Sequence, residues 1–163
     1  MGLLSIKFFM EYKRDKRSPT PKNENVSKVM SANKAKNTKP ELLLRKKLWE
    51  ASFRGHRINY KKISGKPDIA FPSKKIAIFI HGCYWHRCPH CNLSLPKTNI
   101  DFWKTKFEKN TIRDKIKTKD LIDEGWLVFT FWECQVKTDL DRIIKLFRQF
   151  FKKKKTLPKE VIL

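Results

Sequence analysis

Four cysteines, four histidines and a Pro-Asp pair are the residues of this 163-residue chain best suited to chemistry. Cys83, Cys88 and Cys91 cluster within residues 83–91, and Cys134 follows far along the chain. Soft thiolates in this number suit a closed tetrahedral Zn²⁺ site, which orders a loop too short to fold alone. His90 is an alternative donor for one position, and separate buried or reactive thiols are the other reading of the same residues. A second constellation starts at Pro67-Asp68, which opens one short apolar stretch, while His81 closes the next and His86 follows five residues on. A carboxylate and two imidazoles meeting at a sheet edge can hold Mg²⁺ through oxygen and activate water through a neutral ring. That is the chemistry of phosphodiester hydrolysis. Taken alone, an Asp after Pro is more often a turn cap, and a single His more often a satisfied structural group.

The elements that must position these groups are legible from capping and periodicity. Thr38-Lys39-Pro40-Glu41 has the spacing of a capping box and opens a helix predicted over residues 39–52, ended by Gly55. Asp68–Phe71 and Lys75–Ile80 are short apolar runs separated by Pro72-Ser73, the pattern of a hairpin. Between residues 101 and 124 apolar residues recur at helical spacing, with a break and new cap expected at Asn110-Thr111. Gly125 stops that run, Trp126–Trp132 reads as a buried strand, and Thr138-Asp139 caps a final helix. The order helix, strands, helix, strand, helix predicts an α/β fold: a mixed sheet flanked by helices.

Charge bounds the partner. Lys and Arg number 38 against 16 Asp and Glu, a formal net charge of +22, which favours a polyanion such as a nucleic acid. With 40% hydrophobic and 12% aromatic residues the chain carries enough apolar mass for a core, so a disordered class is excluded. Lys7 interrupts the apolar N-terminus and no small-residue cleavage site follows, so the expected compartment is the cytoplasm, where disulfides are disfavoured. Residues 11–40 read as an arm that stays mobile until it meets a partner, and the Lys152–Lys155 run as a solvated tail. The Pro-Asp before an apolar strand matches half of the PD-(D/E)xK nuclease pattern. The acid-x-Lys half is missing from the next strand, where Ile78-Phe79-Ile80-His81 stands.

Five blocks then carry a resemblance. Gly65-Lys66-Pro67-Asp68, Ile80-His81-Gly82-Cys83-Tyr84-Trp85-His86, Asp101-Phe102-Trp103, Asn110-x-x-Arg113-Asp114 and Trp132-Glu133-Cys134 closely resemble the very short patch repair endonucleases, in unbroken order from about Ser27 to Phe150. The resemblance implies a restriction-endonuclease-like fold and Mg²⁺-dependent nicking 5′ to the T of T:G mismatches left by deamination of 5-methylcytosine. It assigns Mg²⁺ to Asp68 with the backbone carbonyl of Ile80, the general base to His86, and a place near the scissile phosphate to His81 paired with Asp114. Glu41 would be a supporting acid, and Cys83, Cys88, Cys91 and Cys134 would hold zinc. Tyr84, Trp85 and Trp103 would insert beside the mismatch, with Met30 entering from the minor-groove side. The implied partners are double-stranded DNA containing a T:G mismatch, a cytosine-5 DNA methyltransferase and a repair polymerase. The implied state is a nucleoid-associated monomer.

Departures from the pattern include the longer run Arg87-Cys88-Pro89-His90-Cys91, a Tyr at position 84 where Phe is expected, and Ile80 in place of Thr. The expected organisation is an extension over residues 1–26, an endonuclease domain over 27–151 and a basic tail over 152–163. The competing readings are a restriction-type enzyme that cuts undamaged duplex and a zinc-stabilised DNA-binding module without catalysis.

Overall fold

The structure is a computed structural model that describes residues 19–152 and 160–162, so the expectations for residues 1–18 and for Lys153–Lys155 lie outside the described residues. The chain divides into two compact units, residues 1–32 and 33–163. In the first, the segment expected to be a mobile arm contains helix α1 (Glu24–Ser31). The Asn23 side chain caps it by accepting the Val26 N–H at 3.0 Å.

The second unit is built on a five-stranded sheet of β1 (Arg57–Ile58), β2 (Ile69–Phe71), β3 (Ile76–His81), β4 (Leu127–Trp132) and β5 (Glu160–Ile162), in that spatial order. The β1–β2 and β2–β3 pairs are antiparallel, whereas β3–β4 and β4–β5 are parallel. The predicted hairpin is β2 and β3, joined by a 3₁₀ turn at Pro72–Lys74. A parallel β3–β4 pair needs a crossover, and helix α3 (Ile100–Asp123) supplies it. This helix is continuous over 24 residues, so the break expected at Asn110-Thr111 does not form. The Thr111 hydroxyl instead returns its proton to the Phe107 carbonyl within the helix. Gly125, at φ +80°, takes the left-handed position that ends α3 and lets Trp126 donate back to the Leu121 carbonyl.

Alternation along the strands sorts the core into two layers. Ile69 and Phe71, Ile76 and Ile78, and Phe129 and Phe131 pack on one face with Leu44 and Leu48 of α2 (Lys39–Glu50), Val136 of α4 (Glu133–Thr138), and Ile143 and Phe147 of α5 (Leu140–Lys152). Ala70, Ala77, Phe79 and Val128 point the other way, onto Leu121 of α3. The alanines let α3 approach the sheet closely, while the phenylalanines fill the thicker layer opposite. Sequence patterning missed α4 and placed residues 152–163 in a tail, whereas Glu160–Ile162 adds a strand to the edge of β4.

Candidate active site

The hairpin register brings Asp68 beside the end of β3. Ile69 faces Ile78, and one step further the Ile80 N–H, which finds no ladder partner on β2, donates to Asp68 Oδ2 at 2.7 Å. In a strand, the N–H and C=O of one residue point to the same neighbour, so the Ile80 carbonyl lies on the Asp68 side as well. Burial pushes the Asp68 carboxyl up to about 6, against the Ile80 hydrogen bond, and the nearby Glu41 carboxylate adds to the rise. A desolvated carboxylate next to a spare carbonyl is a donor set that fits a hard divalent cation.

Glu41 is itself buried, at 4% exposure. The Asn37 N–H reaches its carboxylate at 2.9 Å, the Thr38 hydroxyl at 2.8 Å and the Thr38 N–H at 3.4 Å, and Arg45 stands 3.7 Å away. The helix-capping residue read from the sequence is therefore also the acid that biases Asp68. Its charge is held in place by the first turn of α2. Arg45, one turn on, is its neutralising partner, and no sequence motif marks it.

His81 and His86 stack face to face, with centroids 4.1 Å apart and planes 9° apart. Asp114, on α3, hydrogen-bonds His86 Nδ1. This corrects the expected pairing of Asp114 with His81. His86 is carried out of the strand by the turn in which its N–H bonds the Gly82 carbonyl, and that turn swings its ring between His81 and α3. With Nδ1 engaged by the Asp114 carboxylate, Nε2 is the His86 ring nitrogen left to face a reactant. Burial, then the neighbouring His86, pushes His81 down to about 4, so it is neutral at physiological pH. Burial pushes the Asp114 carboxyl upward, but the His86 hydrogen bond and the charges of His86, His81 and Lys117 outweigh it and leave Asp114 below the usual carboxylate range.

Behind the histidines, Cys83, Cys88, Cys91 and Cys134 bring their sulfurs within 4.8 Å of one another, all as free thiols. Tetrahedral zinc with bonds of about 2.3 Å requires sulfurs about 3.8 Å apart, and Cys88 Sγ lies 3.8 Å from Cys134 Sγ. The donor set fits zinc. Trp132 and Leu93 shield it, and the Cys134 N–H donates to Cys83 Sγ at 3.3 Å. Cys88 belongs to this cluster of sulfurs, whereas His90, its alternative, is exposed and outside it.

The aromatic residues expected to touch DNA form one assembly. Tyr84 and Trp85 meet edge to face at 5.2 Å, Trp85 lies 6.0 Å from Trp103, and Trp103 stacks on Phe107 at 5.9 Å. Tyr84 and Trp85 are part-exposed, whereas Trp103 is buried at 8% and backs them. Asn110 donates to the Trp85 carbonyl at 3.0 Å and fixes the loop to α3. Met30 lies on α1, in the other unit.

A family model for the DNA mismatch endonuclease Vsr matches residues 20–93. The type II nicking enzyme V.HpaIIP of Haemophilus parainfluenzae is 46% identical over 111 residues, covering 67% of this chain and 78% of that protein. The chain belongs to the Vsr family. The type II nicking enzyme V.NmeAIP of Neisseria meningitidis is 41% identical over 125 residues, 74% of this chain and 88% of its own length. The DNA mismatch endonuclease Vsr of Escherichia coli is 37% identical over 82 residues, 50% and 52% of the two chains. The mixed sheet with flanking helices is thus the restriction-endonuclease-like fold of a Vsr endonuclease, and DNA is its substrate class. No helix among the described residues is long and apolar enough to cross a membrane.

Proposed function

We propose that the protein is a Mg²⁺-dependent mismatch endonuclease that nicks one strand 5′ to the T of a T:G pair and so starts very short patch repair. The observation that carries this reading is the convergence of Asp68, His81, His86 and Asp114 beside the part-exposed Tyr84 and Trp85. Cleaving and mismatch-reading groups share one loop. Mg²⁺ held by Asp68 and the Ile80 carbonyl would neutralise charge at the scissile phosphate. His86 Nε2 takes the proton of the attacking water, and Asp114 holds the ring in the required tautomer and stabilises the imidazolium that forms. His81, neutral and stacked, offers an N–H to the phosphate without a second positive charge to repel protonated His86. Glu41 keeps the carboxylate side of the site negative.

Tyr84 and Trp85 insert beside the mismatch, with Trp103 as their support. Unstacking a base step costs about a few kcal/mol and least at a mispair, so wedging favours T:G over matched duplex. Met30 meets the minor groove. The four thiolates hold structural zinc, which ties the loop of Tyr84, Trp85 and His86 to Cys134 at the start of α4. The enzyme acts as a cytoplasmic, nucleoid-associated monomer whose lesions come from a cytosine-5 DNA methyltransferase and whose nick passes to a repair polymerase. Relatives named type II nicking enzymes support cleavage of one strand over a restriction-type double cut.

Matched duplexes carrying T:G, C:G or T:A at one position test the reading with Mg²⁺ present. Nicking confined to T:G is expected. A double-strand cut at C:G would replace this reading with restriction, and no cleavage would leave a binding module.

A further inference from the structure

The inward stripe of α3 has polar residues only at its centre. Trp103 and Phe107 begin it and Leu121 ends it, all buried, and between them the same face carries Asn110, Asp114 and Lys117 at helical spacing. Asn110 grips the Trp85 carbonyl and Asp114 grips His86. Lys117 differs from both: among the described residues its ammonium has neither an ion-pair nor a hydrogen-bond partner. Its stem lies against Gly65, where a Cβ would stand 3.0 Å from Lys117 Cβ and 3.1 Å from Phe79, with Gly65 at φ +73°. The glycine two residues before Pro67 thus leaves room for the Lys117 stem beside the loop that leads to Asp68.

We propose that Lys117 is a DNA-contacting residue that binds a phosphate of the cleaved strand at the active site, supplying from α3 the cation that an acid-x-Lys strand would have placed on β3. Three observations converge on this. Position 117 lies on the face that builds the site, the side chain packs beside the loop carrying Asp68, and no ion pair or hydrogen bond holds its ammonium among the described residues. Its charge reaches Asp114, one turn away on the same face, and helps hold that carboxyl below its usual range. The neighbouring Lys119, by contrast, is bound to Asp123 and faces away. A cation without a bonded partner beside the site attracts an anion, and on a DNA endonuclease the anion at hand is a backbone phosphate.

The proposal deepens the nicking reading and rests on it, so the assay separates the two. The zinc-loaded full chain is compared with Lys117→Met, which keeps the stem and removes the charge, and with Lys117→Arg. Salt dependence of duplex binding is read without Mg²⁺, and single-turnover nicking of T:G duplex with it. The expected result is a salt slope shallower by about 0.9 for Lys117→Met, the value of one lost phosphate contact. Nicking should slow roughly 100- to 1,000-fold, the scale of losing one electrostatic contact to the reacting group. Lys117→Arg should restore the slope and part of the rate. If Lys117 only filled space beside Gly65, Lys117→Met would keep both slope and rate, and that result overturns the proposal. Should Lys117→Met fold poorly, Lys117→Gln carries the same comparison. A wild-type enzyme that spares T:G duplex would refute the nicking reading alone, because the binding slope still reports on Lys117.

Discussion

Replacing Asp68 by Asn should make the Mg²⁺-free protein more stable while abolishing nicking. The carboxyl is desolvated at the end of β3 with one N–H bond and an acid, Glu41, nearby, and its pKa moves from 3.8 to about 6. A shift of that size corresponds to about 3 kcal/mol, taken as an upper value, by which the charged form opposes folding at pH 7.5. Asn retains an acceptor for the Ile80 N–H and removes the charge. Urea unfolding of zinc-loaded protein without Mg²⁺ should therefore show Asp68→Asn stabilised by roughly 1–3 kcal/mol. Added Mg²⁺ should stabilise wild type and leave Asp68→Asn unchanged. The pH dependence should separate as well. A raised folded-state pKa gives Asp68 a stabilising contribution at low pH that is lost as pH rises from about 4 to about 6. His81 works in the opposite sense: pushed down from 6.5 to about 4, it stabilises above 6.5 and that contribution is lost as pH falls toward 4. In wild type the two largely offset each other, whereas Asp68→Asn should lose stability steadily between pH 6.5 and 4. A variant less stable than wild type at pH 7.5 without Mg²⁺, or with an unchanged pH profile, would refute the desolvation argument.

Other perturbations have equally definite outcomes. Asp114→Asn should cut single-turnover nicking by about 100- to 10,000-fold through loss of the His86 tautomer, with duplex affinity held, as quenched-flow and binding titrations would record. Cys88→Ser should lose the bound metal and several kcal/mol of stability while His90→Ala keeps both, judged by zinc stoichiometry and thermal unfolding. Glu41→Ala should destabilise by about 1–2 kcal/mol, because it removes the capping box and takes from half-buried Arg45 its carboxylate partner. The same change should lower the pKa of Asp68, measurable by carbon-detected NMR titration.

What the sequence made legible followed from local rules. The Thr38–Glu41 box, the Pro72-Ser73 turn and Gly125 mark their elements because capping and turn chemistry act over a few residues. The candidate site was legible as residue types in motif order, but its pairings were not. Asp114 reaches His86 because the turn at Gly82–His86 rotates that ring toward α3, and no spacing rule encodes the rotation. An expected break at Asn110-Thr111 hid the stripe that links Asn110, Asp114 and Lys117. Asn and Thr are favoured caps, yet inside α3 tertiary contacts at Trp85 and Phe107 satisfy them and the helix continues. The strand β5 was illegible because a lysine run precedes it and its only partner, β4, lies some 30 residues upstream.

The separation of Cys83 from Cys134, 51 residues in sequence and hydrogen-bond distance in space, has a kinetic side. Parallel pairing of β3 with β4 requires closing the long crossover through α3, and that closure entropy must be met before the strands gain any ladder energy. With metal bound, the cysteines of residues 83–91 would form a local chelate able to load early. Capture of Cys134 by that chelate would then deliver the end of β4 to the end of β3, turning a rare long-range encounter into a tethered one. Metal at this site would act as a folding catalyst as well as a staple, with refolding faster in its presence by more than the gain in stability alone explains.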